Sequence, residues 1–176
     1  MSRRLLALLT LAATATASPS LAGDTHFYAY DGADRLTRSL TSGITLEVDK
    51  GLFGAIQIHG LFSTTARGSA TLDSGGPDGA RDVLPDGATE TNLYGIDPEG
   101  QGRGLTRALC PGADEAWLIT GRVRAARPLT MQAVGRWPDG VFRHCATLSY
   151  QWRGEWAQPP GRDLNTRDGA RTPLAR

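Results

Sequence analysis

The sequence predicts a mainly β protein, an antiparallel β-sandwich or partly open β-barrel with one short α-helix. Three observations carry this. Apolar and polar residues alternate with a period of two along much of the chain, glycine-rich turns punctuate the alternation, and a single stretch carries helical start and stop signals. Alternation of this kind buries one strand face and leaves the other wet, which is the habit of antiparallel sheets.

Taken in order, "HFYAY" and "RLTRSLT" are short strand candidates. In "ITLEVD", Ile44, Leu46 and Val48 share one face, while Thr45, Glu47 and Asp49 share the other. "AIQIH" sets Ile56 and Ile58 against Gln57 and His59, and "GSATL" follows. "WLITGRVR" sets Trp117, Ile119 and Val123 against Thr120, Arg122 and Arg124. "PLTMQAVG" precedes "HCATLSYQW", where Ala146, Leu148, Tyr150 and Trp152 oppose Thr147, Ser149 and Gln151. Turns are expected at Asp31-Gly32, Ser42-Gly43, Lys50-Gly51, Pro111-Gly112, Asp139-Gly140 and Arg153-Gly154. The helix is expected from Asp97 as N-cap, with Pro98 at the first helical position, as far as Cys110-Pro111-Gly112. Its first half is weakened by Gly100, Gly102 and Gly104, each costing about 1 kcal/mol against alanine.

The two ends of the chain read differently from its middle. Residues 1–22 have the form of a cleaved signal peptide, with Arg3 and Arg4 before a short apolar run and small residues around Leu21. Residues 23–157 are read as one β-rich domain, and 158–176, poor in apolar residues, as a flexible tail. The apolar run is too short for a membrane span, and no later segment replaces it. The expected location is therefore periplasmic or secreted.

Loss of two arginines with the leader takes the net charge from +1 to −1, so bulk attraction to nucleic acid is not expected. Cys110 and Cys145 are the two cysteines, and in an oxidising compartment such a pair is expected as a disulfide. Their spacing is not the C-x-x-C of a reactive pair. The bond is expected to pin the end of the helix to the last strand, with roughly 3–4 kcal/mol of chain-entropy stabilisation.

Several motifs invite a chemical reading. Asp73-Ser74-Gly75-Gly76-Pro77 resembles the segment around the nucleophilic serine of trypsin-like proteases. The resemblance spans five residues and lacks its context. Too little chain precedes Ser74 to build the first barrel of that family, and neither His26 nor His59 has the family's surroundings. Ser74 is expected to be a loop residue.

The following loop carries Asp78, Asp82, Asp86 and Glu90, but without EF-hand spacing. His26, His59 and His144 fall on separate strands without zinc-site spacing, so no metal is assigned. "GQGRG" at 100–104 is not a nucleotide fingerprint, and no cofactor is implied. Glu47 and Asp49 share a strand face about 6–7 Å apart, a spacing that also suits paired catalytic carboxylates.

Arginine distribution is the most suggestive feature. Arg122, Arg124, Arg127, Arg136, Arg143 and Arg153 crowd one region in which Asp139 and Glu155 are the counter-charges. Arg122 and Arg124 fall on one side of a strand, and such forks suit anionic partners. The expected function is thus non-enzymatic binding of an envelope protein or anionic ligand through Arg122 and Arg124. The alternative is a periplasmic hydrolase whose site assembles from His59, His144, Glu47 and Asp49.

Overall fold

The computed structural model describes residues 24–51, 54–63 and 68–157. The expected leader and tail lie outside the described residues. Eight strands follow one another around a closed barrel: β1 (Asp24–Gly32), β2 (Gly43–Lys50), β3 (Ile56–Ser63), β4 (Ser69–Ser74), β5 (Asn92–Ile96), β6 (Glu115–Thr120), β7 (Leu129–Arg136) and β8 (Phe142–Ala157). Every neighbouring pair is antiparallel. The expected mainly β, antiparallel fold is present, and its barrel is closed where a sandwich or a partly open barrel was expected. β8 explains why: at 16 residues it pairs with β7 from Phe142 to Tyr150, then with β1 from Tyr150 to Ala157. Closure gives every strand a neighbour on both sides.

β2 displays the inside–outside rule. Ile44, Leu46 and Val48 are fully buried in the barrel, and Leu46 stands opposite Tyr28 on β1 and Leu61 on β3. Thr45, Glu47 and Asp49 point outward. A lipid-facing barrel carries its apolar band on that outer face. No helix among the described residues is long and apolar enough to cross a membrane. Tyr28, Tyr30, Leu118, Met131, Leu148 and Tyr150 fill the interior from the other strands, as an eight-stranded barrel of this kind requires. Three register shifts leave His59, Cys145 and Arg153 as the extra residues of β-bulges. Bulges bend their strands and so help the sheet close.

Among the described residues there are two α-helices instead of one. "RLTRSL" forms α1 (Arg35–Leu40), not a strand. Asp34 caps it by accepting from the Thr37 backbone N–H at 2.8 Å and the Thr37 hydroxyl at 2.7 Å, which holds its carboxyl below the usual range. Thr37 in turn accepts from the Ser149 N–H at 2.9 Å and ties α1 to β8.

The second helix, α2, spans Gly102–Leu109 and so starts one turn later than expected. Asp97 spends its carboxylate on the Glu99 N–H at 2.9 Å, and Gly100 takes a left-handed φ of 56° that helix cannot use. Gly102, Leu105, Thr106 and Leu109 form the buried face of α2. Gly102 is required by contact: a Cβ there would lie 1.8 Å from the Asp97 carbonyl oxygen. The Cys110–Cys145 disulfide is formed and joins the end of α2 to β8.

The expected strand over Trp117–Arg124 is also corrected. β6 ends at Thr120, with Leu118 and Thr120 turned inward and Trp117 and Ile119 outward. Those outward residues stay buried because the segment after β4 folds back over them. Ala80, Val83 and Leu84 pack there against Leu93, Trp117, Ile119, Val134 and Phe142.

Candidate functional site

In an antiparallel barrel built in chain order, successive connections alternate between the two ends. The connections carrying α1 and α2 share one end, the capped end. Those after β2, β4 and β6 share the other, the mouth, with the start of β1 and the end of β8. Arg122 and Arg124 lie on the β6–β7 connection and so belong to the mouth, not to a strand face.

Alternation nonetheless persists through Arg122-Val123-Arg124. Val123 turns into the core at 6% exposure and anchors the segment, while both arginines are exposed. They border a cavity of about 440 Å³ shared with Tyr28, Lys50, Ile56 and Ala125. Apolar walls with a few convergent polar groups are the usual make-up of a ligand pocket of this size.

The cations of the mouth differ in what answers them. Lys50 Nζ is hydrogen-bonded to Glu155 Oε1, and that bond raises the Lys50 pKa. His26 Nδ1 lies 2.9 Å from the same oxygen. Lys50 also stands 5.5 Å from the centre of the Tyr28 ring, whose phenol is pushed up by burial. Glu155 thus balances Lys50. Arg122 and Arg124 have no acidic partner among the described residues.

In the rest of the cluster, Arg127, exposed on the same connection, likewise has no acidic partner among the described residues, whereas the other three are paired. Arg136 pairs with Glu115 at 2.6 Å, Arg143 with Asp139 at 2.5 Å and Arg153 with Asp31 at 3.4 Å. Exposed pairs of this kind contribute little stability, but they use up the charge. The two tryptophans near these arginines in sequence lie elsewhere. Trp152 enters the barrel edge-on to Tyr28 and Tyr30 at 5.0 and 5.3 Å, and Trp137 lies under Arg143 at 4.9 Å.

The three histidines are kept apart. His26 is at the mouth. His59 sits outside β3, with Nε2 3.0 Å from Asp49 Oδ2 but off the line that a hydrogen bond needs. Asp49 Oδ1 accepts from the Thr25 hydroxyl at 3.0 Å. His59 and Glu47 line a groove of about 360 Å³ on the barrel's outer wall, so sequence-distant members of the hydrolase set do meet there.

His144 does not join them. Its Nε2 is 2.9 Å from Gln132 Oε1, an acceptor also used by the Thr147 hydroxyl at 2.7 Å, and Gln132 Nε2 donates to Glu90 at 3.3 Å. Burial there lowers the His144 pKa. Ser74 is exposed at the end of β4 and hydrogen-bonds to no histidine among the described residues. No group of three or more metal-ligating side chains occurs among the described residues.

Tyr28, Lys50, Ile56 and Val123 were not legible as site residues from local pattern. The signal that finds them is topological: in an up-and-down barrel the connections after β2 and β6 must share an end. The chain matches no protein-family model, and no curated protein or solved structure matches it.

Proposed function

We propose that this chain is an exported, non-enzymatic binding domain that holds an anionic envelope component at the barrel mouth through Arg122 and Arg124. One observation carries the proposal: two exposed guanidiniums without an acidic partner among the described residues border a concave cavity, while neighbouring Lys50 is already answered by Glu155. Guanidinium forks suit carboxylate and phosphate groups, and an unpaired pair loses no internal ion pair on binding. The test is capture from the protein's own envelope fraction with the wild-type chain and the Arg122→Glu/Arg124→Glu variant side by side. An anionic component retained by the first and lost by the second is the expected result. Equal capture by both removes the mouth from the account.

The hydrolase alternative is supported by the contact of His59 with Asp49 beside Glu47. It requires a hydroxyl or water nucleophile set against His59. Loss of ester or glycoside hydrolysis in His59→Ala, with the fold intact, is its test, and absence of such hydrolysis in the wild type refutes it.

A further inference from the structure

The mouth constrains its ligand by more than charge. Its walls are apolar where Tyr28, Ile56, Val123 and Ala125 contribute, and cationic where Arg122 and Arg124 do. Depth is limited as well. Immediately below, Leu46, Val48 and Ile58 are fully buried, and Trp152 packs edge-on to Tyr28 at 5.0 Å. The barrel interior is thus occupied by its own side chains, and a long alkyl chain has no channel to follow.

On these grounds, and resting on the proposed role of Arg122 and Arg124, we infer that the mouth binds a small amphiphilic anion: a compact apolar body, aromatic or branched, bearing one carboxylate or phosphate group. The anionic group lies between the two guanidiniums, which supply bidentate donors. The apolar body lies against the partly exposed Ile56 and the exposed Ala125, over a floor formed by the buried Tyr28 and Val123. Lys50 lines the same cavity, but its charge is already paired with Glu155. Specificity therefore comes from the combination. Inorganic phosphate lacks the body, and a neutral aromatic leaves both guanidiniums unanswered.

Calorimetric titration of the full exported chain with three probes tests this: naphthalene-2-carboxylate, its neutral analogue 2-naphthylmethanol, and inorganic phosphate. The expected result is saturable binding of the carboxylate, at least tenfold weaker binding of the alcohol, and no saturable binding of phosphate. Arg122→Glu/Arg124→Glu is expected to weaken the carboxylate at least tenfold with an unchanged circular-dichroism spectrum. Arg122→Gln/Arg124→Gln serves in its place if the charge-reversed chain does not fold. Equal binding of carboxylate and alcohol overturns the inference. Arginine-dependent binding of phosphate as tight as that of the carboxylate overturns it too, but leaves the arginine site standing. No binding of any probe, with the envelope capture still arginine-dependent, overturns the small ligand alone. Failure of both experiments overturns the site.

Discussion

The two ends of the barrel are built from the same strands but are finished differently. At the capped end, α1 is tied to β8 through Thr37 and Ser149, Tyr150 shares a buried hydrogen bond of 3.0 Å with Thr41, and the disulfide anchors α2. Polar groups there point at one another. At the mouth, charged groups point at a cavity, and two of them have no acidic partner among the described residues. If the mouth binds as proposed, stability and recognition are assigned to opposite ends of one small barrel. Substitutions at one end should then leave the other nearly untouched, since distant sites behave additively.

The largest effect should come from Leu105→Ala, which empties a fully buried position on α2. It is expected to destabilise the fold by about 2–5 kcal/mol in denaturant titration. Next, Cys110→Ser/Cys145→Ser removes the constraint on the capped end, and a loss of roughly 3–4 kcal/mol is expected. Any loss of ligand binding in that variant before it unfolds would break the separation of the ends.

A smaller pair sharpens it. Tyr150→Phe deletes the bond to Thr41 and should cost about 1 kcal/mol. Tyr30→Phe should cost nothing or stabilise slightly, because the Tyr30 hydroxyl is buried without a hydrogen-bond partner among the described residues.

Alkaline titration follows from the same tyrosine. Burial pushes the Tyr150 phenol up to about 12, against 10.0 unperturbed. Its folded-state pKa is raised, so its contribution is fully present below pH 10.0 and is lost as pH rises through about 12. Stability should fall over that window, less steeply in Tyr150→Phe than in the wild type. An equal slope in the two chains would remove Tyr150 from the explanation.

Much of the fold was legible in local pattern, because a period of two in residues such as Ile44, Leu46 and Val48 directly reports a buried strand face. Closure was not. It depends on β8 reaching both β7 and β1, and no local spacing encodes that reach. The α1 segment "RLTRSLT" suits either structure by pattern, and the deciding signal is Asp34 three residues before Thr37. Trp117 and Ile119 broke the rule for a different reason: a folded-back loop buried the outer face, so both parities were apolar. At the candidate site, Arg122 and Arg124 stood out by composition, but their separation from Arg136, Arg143 and Arg153 appeared only once ion pairs were known.

The most direct test of the two-ended account is thermal unfolding of Arg122→Glu/Arg124→Glu and wild type, each with and without naphthalene-2-carboxylate. The unliganded Tm values should agree within about 2 °C, since exposed unpaired charges carry little stability. Only the wild type should gain Tm with the carboxylate, as ligand binding to the folded state requires. An unliganded variant that melts well below the wild type would mean that the arginines hold the fold together. Equal gains in both chains would mean that the mouth is not the site.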